Sequence, residues 1–247
     1  MKGLFKTCLP LALGLLPFSL EVRAQSMTAV GVARASEALI KIYDPMVRDV
    51  SLVVPAPEGT MTACSKDNKS TNDQWEASYC LIDRTILISE NNLKLIESRY
   101  GLAAIATLVA HEFAHGRQHA LTGFLTGVVW TSVFDELQAD CISGVYMKRA
   151  TPIPLSERQI AKSKAFLEDI GDYSLQERNW HGTPGMRGAV FQFGYNKGDL
   201  NACWASSERN WRKMLEDIPS RIDKAIENAP AKIDKLIDQG LKLLESE

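Results

Sequence analysis

The run Gly101-Leu-Ala-Ala-Ile-Ala-Thr-Leu-Val-Ala-His111-Glu112-Phe113-Ala114-His115-Gly-Arg-Gln-His119-Ala120 decides how this chain reads. It contains three of the chain's four histidines; the fourth is His181. The run has no proline and is rich in strong helix formers, so it predicts a helix. Residues four apart on a helix share a face, about 6 Å from one another. His111 and His115 are therefore placed to hold one zinc ion, and Glu112 to act as general base on a water at that ion.

A zinc site of this kind needs a third protein ligand. One HExxH pattern takes it from a histidine six residues after the second, with a glycine between. Those positions here are Leu121 and Gln118, so that pattern fails. His119 lies eight residues past His111, about 12 Å of helix rise, and reads as a cleft-rim or packing residue. The other standard source is a glutamate on a following helix. Glu136-Leu-Gln-Ala-Asp140 fits, because the chain between His115 and Glu136 is long enough to turn back. Glu136 is the expected third ligand. Asp140, one turn on, faces the same way and is placed to accept the free N–H of His111. Asp135 points about 100° away around that helix and reads as a surface residue.

His181 stands in Trp180-His181-Gly182-Thr183-Pro184-Gly185-Met186-Arg187. It is the candidate to stabilise the oxyanion of a tetrahedral intermediate. Arg187 follows on the next helix and can serve the oxyanion, a substrate carboxylate, or an acidic partner that braces the His181 loop.

Around this centre the chain has 247 residues, 45% hydrophobic and 23% charged, which suits one domain with appendages. The net charge of −2 argues against nucleic acid as a partner. Residues 1–24 read as a secretory signal, with Lys2 and Lys6, an apolar stretch from Leu9 to Leu20, and Val22-Arg23-Ala24 before the cut. The expected destination is the periplasm or the exterior. Cys8 leaves with the signal, and the four that remain (Cys64, Cys80, Cys141, Cys203) imply two disulfides in an exported chain. Three pairings are open; Cys64–Cys80 is the natural local pair, which leaves Cys141–Cys203.

Periodicity predicts helices over Met27–Tyr43, Glu90–Tyr100, Phe134–Met147, Glu157–Ile170 and from about Gly185 to Tyr195, with Ser156 capping the fourth. Strands are expected over Val50–Val54, Ala77–Ile82 and Thr85–Ser89. The fold class is α+β, predominantly helical, with a small edge sheet. The metallopeptidase domain would span residues 25–205. Leu121 to Phe134 carries no charge but is too short to cross a bilayer; it reads as buried chain or as a peripheral membrane contact. Residues 206–247 read as an amphipathic helical tail with two similar segments at an 11-residue offset, beginning at Arg221 and Lys232.

Several blocks in order resemble the bacterial family of neutral zinc metallopeptidases. They are Ser78-Tyr79-Cys80 with Thr85 to Ser89, His111 to His115, Glu136-Leu-Gln-Ala-Asp-Cys141, His181-Gly-Thr-Pro184 through Arg187, and Gly198-Asp199 to Cys203. The resemblance covers roughly residues 60 to 205. It implies a zincin fold of the gluzincin type, bound Zn2+, and cysteine pairs matching those above. The chain departs from the family's pattern at Ala114-His115-Gly116, where Gly-His-His is usual, and at Leu81, where proline is usual. The expectation is an exported endopeptidase acting on protein or peptide substrates, with the Thr85 to Ser89 strand beside the cleft pairing with an extended substrate. The alternative is a non-catalytic, zinc-stabilised envelope interaction protein working through the tail or the apolar stretch. Glu112 speaks against it, since a structural zinc has no use for a base.

Overall fold

The computed structural model of the chain describes residues 28–65, 77–123, 132–173 and 180–204. The expected signal, the tail and most of the apolar stretch lie outside them. The described part is α+β and predominantly helical, as the periodicity predicts. Among the described residues no helix is long and apolar enough to cross a membrane.

Helix α1 (Ala29–Tyr43) begins where the Thr28 side chain accepts the Gly31 amide, and it ends at Asp44-Pro45. The Asp44 carboxylate is buried. It accepts from the Met46 amide at 3.1 Å, Tyr146 Oη at 2.7 Å and Arg117 Nη1 at 2.6 Å. These bonds fasten the turn after α1 to both helices that carry the candidate site.

Strands β1 (Ser51–Ala56), β2 (Ala77–Cys80) and β3 (Thr85–Ser89) form one sheet in the order β1-β3-β2. β1 runs parallel and β2 antiparallel to β3. This corrects the expectation that Thr85 to Ser89 offers a free edge. β3 is the most apolar strand, with Ile86, Leu87 and Ile88 all buried, and a strand buried on both faces belongs in the middle. The two edges are treated differently. Arg34, from α1, donates to the Leu52 and Val54 carbonyl oxygens of β1 at 2.6 and 3.1 Å, so that edge is capped. β2 is the other edge, and its Ala77, Ser78 and Tyr79 line the main cleft.

Helix α2 (Glu90–Tyr100) follows β3 without a loop, because Ser89 both ends the strand and caps the helix through Asn92 N. Gly101, at φ 82°, makes the break before helix α3 (Leu102–Thr122). That backbone angle is open to glycine and costly for a residue with a Cβ. Every residue of α3 from Ala104 to Ala114 is buried. A helix buried all round is the centre of its domain, and α3 packs against α1, α2 and β2 and against two further helices, α4 (Ser132–Arg149) and α5 (Glu157–Asp169).

Ser156 caps α5 with a full capping box through Gln159. Helix α6 (Pro184–Lys197) is capped by Thr183, with Pro184 in its first turn. α6 crosses α4 with the two backbones in contact. A Cβ on Gly194 would stand 1.9 Å from the Cys141 carbonyl oxygen, and one on Gly144 2.2 Å from that of Phe191. Both expected disulfides are present. Cys64–Cys80 fastens the end of β2 to the loop after β1, and Cys141–Cys203 fastens α4 to the chain after α6.

Candidate metal centre

Four side chains on α3 and α4 meet in antiparallel register. His111 meets Asp140 and Glu136, and His115 meets Glu136, so rising numbers on one helix face falling numbers on the other. The Nε2 atoms of His111 and His115 are 3.1 Å apart. Glu136 Oε2 lies 3.3 Å from the first and Oε1 3.4 Å from the second. His111, His115 and Glu136 are the one group among the described residues whose ligand atoms converge for a metal.

The separations test whether zinc fits. Ligand atoms 2.0–2.2 Å from a tetrahedral zinc lie about 3.3–3.5 Å from one another. The observed spacings of 3.1, 3.3 and 3.4 Å come near that edge length, the last two being measured to different oxygens of Glu136. The donor set of two imidazoles and a carboxylate also suits zinc.

The charges agree. Burial favours a neutral Glu136, but the His115 and His111 imidazoles outweigh it and hold the carboxyl well below its usual range. Burial likewise opposes a charged His111, yet contact with Asp140 and Glu136 overrides it and raises that imidazole to about 10. The side chains thus call for positive charge at the point where they converge.

His111 Nδ1 lies 2.8 Å from Asp140 Oδ1, close in distance although the ring N–H is not in line with the oxygen. Asp140 is itself gripped by Arg187, whose Nε and Nη2 reach its two oxygens at 2.8 and 3.0 Å. The same Nη2 stands 3.5 Å from Glu136 Oε2. Arg187 is 2% exposed. Of the roles open to it from the sequence, the geometry favours an acidic partner, and the partners are the metal-site carboxylates rather than the His181 loop.

The centre opens into a cleft of about 580 Å3. The cleft face of α3 runs from apolar Leu108 through His111, Glu112 and His115 to polar Gln118 and His119. Glu112 is buried beside the ligands, and burial pushes its carboxyl above the usual range against the pull of the two imidazoles. His181 lines the same cleft with its side chain 47% exposed, 3.9 Å from Asp172. His119 lies at the cleft wall, where its Nδ1 is 2.9 Å from Tyr79 Oη and 3.4 Å from Arg84 Nη1. Arginine can only donate, so Nδ1 is the acceptor. Burial lowers His119 and pushes Tyr79 up to about 12, which keeps the pair neutral.

Asp135 is a correction. It is half-buried and lines the cleft, and burial above all raises its carboxyl to about 6. The 100° offset from Glu136 is real, but the cleft wraps far enough around α4 to include both. Two further residues were given no role at the site. Tyr79 stands in one of the blocks that carry the resemblance, but nothing local places it at the cleft. Gln118 contacts His115 Nδ1 at 2.8 Å, and its signal was present: three residues on, it shares the histidine's face.

Comparison with known proteins adds the following. Three uncharacterized mycobacterial proteins match; they include Uncharacterized protein Mb2605 of Mycobacterium bovis and Uncharacterized protein Rv2575 of Mycobacterium tuberculosis. Each is 29% identical over 156 residues, covering 51% of this chain and 53% of the relative. The chain thus spans about half the length of these curated relatives. No solved structure matches. The sequence model of one family, described as "Putative neutral zinc metallopeptidase", matches residues 24–206, so the chain belongs to that family.

Proposed function

We propose that the protein is an exported zinc-dependent endopeptidase, with His111, His115 and Glu136 as ligands and Glu112 as general base. The observation that carries this reading is the convergence of the His111, His115 and Glu136 ligand atoms beside a buried glutamate on the wall of an open cleft. Held there, a zinc ion supplies a Lewis acid that polarises a carbonyl and makes a water acidic.

The chain's own residues do the rest. Glu112 takes a proton from the attacking water and passes it to the leaving amine nitrogen. Its burial favours the first of these steps, because a carboxylate whose carboxyl is raised above its ordinary range is a stronger base toward the water's proton. An extended peptide adds to the β2 edge, which lines the cleft, through backbone hydrogen bonds. His181, open to the cleft, donates to the oxyanion of the tetrahedral carbon. Asp140 orients His111, and Arg187 holds Asp140 and Glu136 in place. The two disulfides and the N-terminal signal support an extracytoplasmic location.

The deciding experiment is Glu112→Gln, assayed on an unfolded protein substrate with zinc content measured alongside. Retained zinc with cleavage reduced at least a thousandfold supports the reading. Cleavage equal to wild type removes Glu112 from the chemistry. Glu136→Ala should lose zinc; unchanged zinc content would strike it from the ligand set.

A further inference from the structure

Gln118 sits near the end of α3 and is 1% exposed. One end of its side-chain amide lies 2.8 Å from His115 Nδ1. The other end lies 2.7 Å from the Asp135 backbone oxygen and 3.0 Å from Gln138 Oε1. A backbone carbonyl can only accept, so the amide atom beside Asp135 is the NH2 group. Both its hydrogens are then engaged, one by the Asp135 carbonyl and one by Gln138. The atom facing His115 is therefore the amide oxygen, which cannot donate. It follows that His115 Nδ1 carries the hydrogen. In the neutral ring Nε2 then keeps its lone pair, facing His111 Nε2 at 3.1 Å and Glu136 Oε1 at 3.4 Å.

We infer that Gln118 is a positioning residue that locks His115 in its metal-binding tautomer and couples that lock to the first turn of α4. This rests on the reading of His115 as a zinc ligand. The coupling is built into the backbone: the carbonyl that orients the Gln118 amide belongs to the residue next to Glu136. A displacement of this turn moves the third ligand and also removes the acceptor that fixes the amide. The two histidines are thus held by unlike means. His111 leans on a carboxylate, while His115 depends on a neutral amide whose orientation α4 dictates.

Two measurements test it. In chelator-treated wild type, at a pH high enough to leave the His115 ring neutral, ring 15N and 13C shifts of labelled histidine should show His115 predominantly as the Nδ1–H form. A dominant or equal Nε2–H form overturns the inference. Gln118→Met, which keeps the length and removes the hydrogen bonds, should weaken zinc binding by about 10- to 100-fold in a competition with a chelator, for protein still folded by circular dichroism. Affinity within threefold of wild type overturns it. If Gln118→Met does not fold, the wild-type tautomer decides alone. A wild type that bound no zinc would sink the metallopeptidase reading, while the tautomer measurement, which needs no zinc, would still decide the role of Gln118.

Discussion

Arg187 and Asp140 form a two-point ion pair beneath the candidate metal centre, at 2.8 and 3.0 Å, with side chains only 2% and 0% exposed. Removing one member of such a pair leaves a buried charge uncompensated, at a cost of about 3–5 kcal/mol. Here two carboxylates would be stranded, since the guanidinium also faces Glu136. Arg187→Met should therefore destabilise the fold by about that much in urea unfolding. Adding Asp140→Asn should recover part of the loss, because the pair acts as a unit. Additive losses in the double variant would mean that the two side chains are not coupled.

The α4–α6 crossing makes a prediction that runs against helix propensity. Replacing a helical glycine with alanine normally gains up to about 1 kcal/mol. At Gly194 the new Cβ would stand 1.9 Å from the Cys141 carbonyl oxygen, a backbone atom that cannot step aside cheaply. Gly194→Ala should destabilise by about 1–3 kcal/mol or more. A raised melting temperature would show that the helices are not in backbone contact there.

Cys141 adjoins Asp140 in sequence, and its disulfide to Cys203 closes a span of 62 residues. By the chain-entropy argument a loop of that size is worth about 4 kcal/mol. Cys141→Ser with Cys203→Ser should lower stability by about that amount, and reductant, which opens both disulfides, should lower that of wild type by more. A Cys64→Ser, Cys80→Ser variant should lose less, since its loop spans only 16 residues. The reverse ranking would count against loop closure as the source of the effect.

What the sequence disclosed followed from short-range geometry. His111 and His115 are four apart, as are Glu136 and Asp140, and the helical repeat puts each pair on one face before any packing is known. The serine signal at the start of α5 was local too, and it falls where the structure has it. The parts that escaped depend on pairing at a distance. Strand order is one: the apolar run within Thr85 to Ser89 argues for a central strand, but nothing in it says which strands claim its two edges. Asp135 is another, since its exposure depends on how far the cleft extends around α4. Arg187 was visible as a charged residue after a loop, but its partners Asp140 and Glu136 lie about fifty residues away in sequence, and only the crossing of α4 and α6 brings them together.

The last prediction concerns pH. With zinc stripped by a chelator, His111 is raised from 6.5 to about 10 by Asp140 and Glu136, against burial. A group whose folded pKa lies above its unfolded value stabilises the fold fully below the unfolded pKa, and this is lost as pH rises through the folded one. The stripped protein should therefore lose stability progressively from about pH 6.5 to about pH 10. Glu136, held low, acts at the other end: its contribution is present above its unfolded pKa of 4.5 and falls away as the solution is acidified below that. Zinc held by the same side chains should reverse the first trend, because it would take the place of the proton between them. Its binding releases protons and so strengthens as pH rises. Melting temperatures measured from pH 6 to pH 10 should fall with chelator present and hold or rise with zinc, so that the two curves diverge toward high pH. Parallel curves would mean that proton and metal do not compete for the space between His111, His115 and Glu136.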